Sequence, residues 1–346
     1  MKMPKFASIV FVLTVALAAC AQPTPEPSPE QADAAQLFIF SNSTPHVTVI
    51  DTQTNQVVKT ADIPDFTSWT WNDDNNYFDG ENLWLGLKDN DTNAVEVIAL
   101  NLDTMEIATR LPIGREEITL YIGKATADGI LHVGKMASAQ VVAIDTKAFQ
   151  VLSTWDVPVG EGGVVCDADI SVGPDGVERF YYPTRQSDML VSLNPETGET
   201  IQIIAAPEGS TPHMLTTAPD GTVWVQEAAS NTNAVYDPVS LDLIKRFATG
   251  KGPVVATFSP DGKYGFIGHF GDTDLLVMDA NTLEEVARIF IGANPGKVAV
   301  HSSSSFAYVI VTKEASVAVI HMGEWRVTER ISLDADPTGI FLRAGS

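Results

Sequence analysis

Residues 264–300 read YGFIGHFGDTDLLVMDANTLEEVARIFIGANPGKVAV. Apolar and polar residues alternate in short runs here, and a polar turn that begins at Asp279 separates two of these runs. Alternation with a period of two is typical of strands, because successive side chains of a strand point to opposite faces of its sheet. The stretch therefore predicts consecutive antiparallel strands joined by short turns.

The same pattern occurs seven times along the chain. Each copy closes one alternating run with a polar residue, and these residues are Asp51, Asn101, Asp145, Asn194, Asp237, Asp279 and His321. Neighbouring copies lie 42 to 50 residues apart. A repeat of this length with strand-like alternation is typical of a β-propeller. The sequence thus predicts an all-β fold, a seven-bladed β-propeller of four-stranded antiparallel blades.

Two further patterns assign strands within the repeats. Asp-Gly pairs between alternating runs predict hairpin turns with positive φ at both positions, and they occur at 79–80, 128–129, 175–176, 220–221 and 261–262. The first copy lacks its first strand, whereas the segment 336–343 (DPTGIFLR) aligns with the first strand of the other copies. We therefore expect the C-terminal strand to complete the first blade, which leaves no open sheet edge.

The N-terminal residues differ in composition from the repeats. Lys2 and Lys5 precede an apolar segment that ends in Leu-Ala-Ala-Cys20, a tetrapeptide that resembles the lipobox of bacterial lipoproteins. The resemblance implies a signal peptide at 1–19 and lipidation of Cys20. The proline-rich composition of segment 20–36 predicts an extended tether. We assign residues 37–346 to the propeller. We expect an exported protein that its lipid anchors to the membrane, facing the periplasm or the cell surface.

Charge and cysteine content restrict the partners. The formal net charge of −23 argues against nucleic acid as a ligand. Cys166 is the only cysteine besides Cys20, so the sequence predicts no intramolecular disulfide. Cys166 stands at the beginning of an apolar run, which favours a buried, inert thiol.

Residues 264–300 are also similar along their whole length to the consensus repeat of the YVTN family of seven-bladed propellers, and the resemblance extends over about 37–343. The resemblance strongly implies the propeller fold, but it gives only weak information about the function, because one fold can carry many functions. Members of this family include surface-layer proteins, adhesion or scaffold modules, a periplasmic zinc chaperone, and haem- or quinone-linked redox subunits.

In such a propeller, strand A of each blade lines the central channel and strand D lies outermost. The B–C loops and D–A connections share one face, here called the B–C face, and the A–B and C–D turns share the opposite A–B face. Propellers commonly bind ligands at the mouth of the channel, so polar or aromatic residues near this mouth on the B–C face are candidates. They are His213, Glu227, His269, Lys135, Arg185 and Trp71.

Three of these candidates suggest a metal site. Two imidazoles and a carboxylate, from His213, Glu227 and His269, would make a three-ligand zinc set with an open position. The Pro-His pair at 212–213 matches the place where some YVTN members carry a functional histidine. The alternative is that these histidines bond backbone carbonyls, because no His-x-His or HExxH spacing is present. We expect no resident cofactor, with zinc as the alternative.

Trp71 alternates with Trp69 on the predicted inner strand of blade two and could stack on a ligand, or fill the wedge between blades. Lys135 and Arg185 could bind an anion. No motif for nucleophilic catalysis is present, so we expect a non-enzymatic binding or interaction module. We further expect a monomer with an envelope protein as partner. The alternatives are a zinc-binding or zinc-chaperone protein and a propeller scaffold of a haem- or quinone-linked redox system.

Overall fold

The computed structural model describes residues 35–41, 45–72 and 76–345. These residues form seven antiparallel sheets that are arranged as the blades of a ring, which confirms the predicted seven-bladed propeller. One 3₁₀ turn, at Thr312–Glu314, interrupts the strands. The described residues contain no helix long and apolar enough to span a membrane. The predicted signal peptide, Cys20 and most of the tether lie outside the described residues.

The first four blades carry the following strands. Blade one is formed by β29 (Pro337–Arg343), β1 (Gln36–Ser41), β2 (His46–Asp51) and β3 (Gln56–Asp62). Blade two is formed by β4 (Ser68–Trp69), β5 (Asn82–Lys88), β6 (Ala94–Asn101) and β7 (Ile107–Arg115). Blade three is formed by β8 (Leu120–Ala125), β9 (Ile130–Lys135), β10 (Gln140–Asp145) and β11 (Gln150–Asp156). Blade four has its strand A in two pieces, β12 (Val164–Val165) and β13 (Asp169–Val172), followed by β14 (Glu178–Arg185), β15 (Met189–Leu193) and β16 (Thr200–Ala205).

The last three blades are the most regular. Blade five is formed by β17 (Pro212–Thr217), β18 (Val223–Glu227), β19 (Thr232–Tyr236) and β20 (Leu243–Ala248). Blade six is formed by β21 (Pro253–Phe258), β22 (Tyr264–His269), β23 (Asp274–Asp279) and β24 (Glu285–Phe290). Blade seven is formed by β25 (Pro295–Val300), β26 (Phe306–Val311), β27 (Ser316–His321) and β28 (Arg326–Ser332).

The C-terminal strand closes the ring as predicted. Strand β29 pairs antiparallel with β1, so that Ile340 lies opposite Ile39. The folded region begins slightly before the predicted boundary at 37, because the buried Ala35 accepts hydrogen bonds from the backbone and the hydroxyl of Thr52 at 3.1 and 2.9 Å. The first and last strands are therefore both built into blade one.

The core lies between the blades. Each pair of neighbouring blades shares a cluster of buried apolar side chains, including the pair formed by blades seven and one, where Leu37 and Tyr308 belong to one cluster. Between blades one and two, Phe40 meets the edge of Trp69 with the ring centroids 5.3 Å apart. The alternating apolar residues of the repeats are therefore buried between neighbouring sheets.

The polar residue that marks each repeat stabilises the C–D turn. The Oδ1 atom of Asp279 accepts hydrogen bonds from the backbone N–H groups of Asn281 and Thr282 at 3.0 and 2.9 Å. The Asp and Asn markers of the other blades do the same. These backbone bonds lower the pKa of the Asp279 carboxyl, because they favour its charged form. Blade seven departs from this pattern, since an imidazole at His321 stands at the marker position.

The Asp-Gly turns differ in detail from the prediction. In the Asp220-Gly221 turn of blade five only Gly221 has positive φ, at +90°, and its N–H donates to the carbonyl of Ala218 at 2.8 Å. This is a type I turn followed by a left-handed residue, rather than a two-residue turn with two positive φ values. In blade seven Ser304 takes the glycine position with a φ of 53° and donates to His301. The same turn therefore forms without glycine.

Candidate functional site

The channel mouth on the B–C face is shaped by irregular A strands. In four blades, the residue that follows a proline at the start of strand A falls where the pairing of strands A and B shifts register. These residues are His213, Val254, Gly296 and Thr338. Such bulges turn a strand locally and re-aim its side chains. The register shifts show that the four positions are structurally equivalent.

Blade two departs furthest from the regular pattern. The sequence predicts one inner strand that holds both Trp69 and Trp71, but β4 ends at Trp69. Trp71 instead pairs in parallel with Tyr121 of blade three, and its N–H donates to the carbonyl of Leu120 at 3.3 Å. The blade-two chain therefore leaves its own sheet at this point and lies against the strand A of its neighbour.

Trp71 brings together residues from distant blades. Its ring centroid is 6.3 Å from that of Phe270 in blade six, in an edge-on arrangement. The Nζ atom of Lys297, from blade seven, lies 3.6 Å from the centroid of the same indole ring. Lys297 also donates to the carbonyl of Asn72 and is only 3% exposed. Contacts with blades three, six and seven place the Trp71 indole across the channel mouth.

These residues enclose a cavity of about 280 Å³, here called the mouth pocket. Its lining consists of Trp69, Thr70, Trp71, Thr119, Phe270, Gly296, Lys297, Ile310, Thr312 and Thr338. Apolar side chains with a few polar groups among them are typical of small-molecule sites. Of the predicted candidates, only Trp71 lines this pocket.

A second group of side chains fills the channel beside the pocket. Tyr121, Met136, Cys166, Met214 and Val254 form one buried cluster, against which Trp71 packs. The hydroxyl of Tyr121 lies 3.3 Å from the Cys166 sulfur. Burial raises the pKa of the Cys166 thiol to about 12, which keeps it protonated and unreactive. The prediction of a buried thiol is therefore confirmed.

The predicted zinc set is not assembled. No group of three His, Cys, Asp or Glu side chains that could hold a metal occurs within 35–41, 45–72 and 76–345. The carboxylate of Glu227 is fully buried and binds Arg246 through both oxygens, at 2.8 and 2.9 Å. Its charge is therefore already compensated inside blade five, which the sequence pattern did not indicate.

His269 is also engaged within the protein. The N–H of Gly250 donates to its Nε2 atom at 2.8 Å, so Nε2 is unprotonated and accepts. The Nδ1 atom then carries the proton and donates to the carbonyl of Asp274 at 2.7 Å. Because both ring nitrogens are used, His269 has no lone pair left for a metal. The alternative of a histidine that bonds a backbone carbonyl is the one that the structure supports here.

The remaining candidates lie on the expected face but outside the mouth pocket. Half-buried His213 has a pKa lowered to about 4, chiefly by burial and further by the positive charge of Arg185. Arg185 ends β14, and its side chain has no hydrogen bond or ion pair with the described residues. Lys135 ends β9, is buried, and its Nζ lies 3.4 Å from the side-chain oxygen of Gln140. The three residues stand at equivalent blade ends without forming one site.

Sequence reasoning missed Lys297 and Phe270. Lys297 is the one charged residue in the strand PGKVAV, whose other members are all apolar, glycine or proline. A lysine inside an otherwise buried inner strand is unusual enough to have marked the position. Phe270 carried no comparable signal, because it follows β22 in a polar loop and its role depends on a tryptophan from blade two.

Comparison with known proteins supports the fold. A candidate 6-phosphogluconolactonase from Bacteroides uniformis matches with a TM-score of 0.71 at 15% identity, over 90% of this chain and 100% of that one. AztD from Citrobacter koseri matches with a TM-score of 0.64 at 14% identity, over 91% and 99%. Dihydro-heme d1 dehydrogenase NirN matches with a TM-score of 0.62 at 14% identity, over 93% and 79%. No family model and no curated protein matches the sequence. At these identities the likeness concerns the fold alone.

Proposed function

We propose that this chain is a lipoprotein of the bacterial cell envelope whose YVTN-type propeller is a non-enzymatic binding module. The observation that carries the proposal is the mouth pocket, because Trp71 leaves the regular repeat to build it with Phe270 and Lys297. Most residues of the repeats serve to form the propeller fold. The departure from the repeat pattern lies on the face where propellers commonly bind ligands.

The sequence features at the N-terminus supply the location. The Leu-Ala-Ala-Cys20 tetrapeptide and the proline-rich segment after it would hold the propeller close to a membrane on a semi-rigid tether. We therefore propose an exported, lipid-anchored and monomeric protein with an envelope protein as partner, which binds through the B–C face. The zinc-binding role finds no assembled ligand set in the described residues, and the redox-scaffold role stays an alternative prediction.

The lipid anchor is tested by fractionation. We expect the full chain to occur in the membrane fraction and to incorporate labelled fatty acid. The Cys20→Ser variant should lose the label and become soluble after cell lysis. Labelling that persists in the Cys20→Ser variant, or an unlabelled wild-type protein, would contradict the proposal.

The binding face is tested by site-specific photo-crosslinking in intact envelopes. A photoreactive side chain at Lys251, which is exposed in a D–A connection, should crosslink one defined envelope component. The same group at Asp220, which is exposed in an A–B turn, serves as the control and should not. Equal crosslinking from both faces, or from Asp220 alone, would overturn the assignment of the B–C face.

A further inference from the structure

Arg185 differs from the other arginines of the chain. Seven of the nine arginines form an ion pair with an Asp or Glu side chain, and these seven are Arg110, Arg179, Arg246, Arg288, Arg326, Arg330 and Arg343. Arg115 is exposed to water, whereas Arg185 is half-buried, and neither forms an ion pair within the described part of the chain. A charged group that is partly removed from water needs compensation by an opposite charge. Although 44 acidic residues stand against 21 basic ones, none compensates Arg185 in this way, so its surroundings favour an anion from outside the chain.

The equivalent position in other blades is satisfied within the protein. Arg185 is the last residue of strand B in blade four. The corresponding Lys88 of blade two donates to two backbone carbonyls at 2.6 and 2.9 Å. In blade five Glu227 binds Arg246, and in blade six both ring nitrogens of His269 are used. Blade four therefore differs from these blades, because it leaves guanidinium N–H donors at the B–C face that no described residue accepts.

The Arg185 side chain is directed towards blade five. Because side chains alternate along a strand, Arg185 shares the face of β14 that carries Tyr181. Tyr181 packs in a buried cluster with Leu215 of blade five. His213 precedes Leu215 by two residues, and its pKa is lowered by burial and further by the positive charge of Arg185. Arg185 and His213 therefore adjoin where blades four and five meet at the B–C face.

His213 supplies a second donor. Its pKa of about 4 leaves the imidazole neutral at pH 7, so one ring nitrogen carries a hydrogen that can be donated. The backbone before it is strained, since Thr211 is the one β-branched residue with positive φ, at 55°, among the described residues. The carboxylate of Asp188 stabilises this conformation by accepting from the N–H of Thr211 at 2.8 Å. Strain of this kind is typical of functional sites.

The charges nearby favour a carboxylate over a phosphate. Asp167 follows β12, which pairs with β14, and Asp188 follows Arg185 by three residues. Both carboxylates accept backbone N–H groups, Asp167 from Leu215 at 3.0 Å and Asp188 from Gly209 at 2.6 Å. Their charge would repel a phosphate dianion more strongly than a carboxylate monoanion. The parallel N–H donors of a guanidinium also match the two oxygens of a carboxylate.

Building on the binding role proposed above, we infer that Arg185 and His213 together bind a carboxylate group of the ligand at the B–C face. The guanidinium donates to both carboxylate oxygens, and the imidazole N–H of His213 donates a further hydrogen bond. The carboxylate belongs either to a small organic acid or to an acidic residue of the envelope partner. Both sources present the same chemistry, and the two arms of the test below separate them.

Protection of Arg185 from phenylglyoxal, measured by mass spectrometry of the purified protein, tests the free carboxylate. We expect acetate to slow the modification of Arg185, acetamide at the same concentration to have no effect, and inorganic phosphate to protect less than acetate. Arg115, which is exposed on the same face and has no ion pair with a described residue, is the internal control that acetate should not protect. His213→Leu should raise the acetate concentration needed by roughly threefold to tenfold, because one hydrogen bond is lost.

Photo-crosslinking from position 251 tests the partner as the source. If the partner supplies the carboxylate, Arg185→Gln should reduce the crosslinked product at least about tenfold, since a charged pair is lost. Arg115→Gln is the matched control and should leave the product unchanged. Acetate protection with unchanged crosslinking in Arg185→Gln would assign the carboxylate to a small acid.

Two results would overturn the inference. The first is equal modification of Arg185 in acetate and acetamide together with unchanged crosslinking in Arg185→Gln. The second is phosphate that protects Arg185 as well as acetate does, since the ligand group would then not be a carboxylate. Neither result affects the binding role, which stands as long as the wild-type propeller crosslinks an envelope component from position 251 and not from position 220.

Discussion

On the A–B face the same turns recur from blade to blade, whereas on the B–C face the blades enter the channel in different ways. An Asp or Asn side chain holds the C–D turn in six of the seven blades, as Asp237 and Asp279 illustrate. On the opposite face the A strands carry bulges, β4 ends early, and Trp71 crosses to other blades. Local hydrogen bonds determine one face, and contacts across the ring determine the other.

This difference shows where the chain has freedom to vary. A turn that satisfies its own backbone groups is stable wherever the repeat places it, so it can be copied. A residue at the channel mouth is held by side chains from several blades, so each position has its own surroundings. The four predictions below test this division, from the largest expected effect to the smallest.

The sharpest test is Gly268→Ala near the end of a B strand. A Cβ atom there would lie 2.1 Å from the carbonyl oxygen of Gly296 and 2.6 Å from that of Pro295, both in blade seven. Because backbone atoms cannot move aside cheaply, we expect a loss of about 3 kcal/mol in the free energy of unfolding, measured by denaturant titration. Gly134→Ala, at the same position of blade three, is the control, since its nearest neighbour is a Val165 methyl group at 3.3 Å. Equal losses of unfolding free energy in both variants would contradict the view that contacts between blades determine the B–C face.

The second test concerns His213 at low pH. Its pKa of about 4 in the folded protein lies below the ordinary value of 6.5, so between these values the unfolded chain binds a proton that the folded protein does not. Stability should therefore fall as the pH is lowered from 6.5 to 4, by at most about 3 kcal/mol from this group. His213→Gln should remove that part of the slope in melting experiments. Identical pH profiles for the variant and the wild type would show that the channel mouth does not bury this imidazole.

The third test removes one turn marker from the A–B face. Asp279→Ala should cost about 1–2 kcal/mol, because two backbone N–H groups lose a charged acceptor. The cost should shrink as the pH falls through the lowered pKa of the Asp279 carboxyl, since the protonated side chain is a weaker acceptor. Asp334→Ala, at an exposed position, is the control for a general effect of charge. A cost that equals that of Asp334→Ala would argue against the role of the marker.

The smallest effects are expected at the A–B turns. Gly221→Ala should cost about 1 kcal/mol, since alanine is strained at a φ of +90° although no atom lies closer than 3.8 Å. Ser304→Gly should go the other way and stabilise by a few tenths of a kcal/mol, because Ser304 holds a left-handed conformation in the same turn. Chemical denaturation measures both. Loss of stability in Ser304→Gly would show that the serine side chain, rather than the backbone, matters in blade seven.

The sequence alone predicted the blade count, the closing strand and the buried state of Cys166. It also placed His213, Glu227 and His269 at the correct strand ends, because repeat position is conveyed by alternation and turn residues. It did not predict what those side chains bind. Glu227 faces Arg246, nineteen residues later in its own blade, and His269 bonds to a glycine N–H. Such partners depend on side-chain direction and local strand register, which the alternating pattern leaves open.

What the sequence determined by itself is the repeated architecture, since local hydrogen bonds and a period-two apolar pattern act over a few residues and recur in every copy. Only the tertiary structure decided the mouth pocket. Phe270 and Lys297 each follow Trp71 by about two hundred residues or more in the sequence. The three side chains meet because ring closure brings their blades around one channel. No local pattern encodes that meeting, since it depends on the positions of several blades at once.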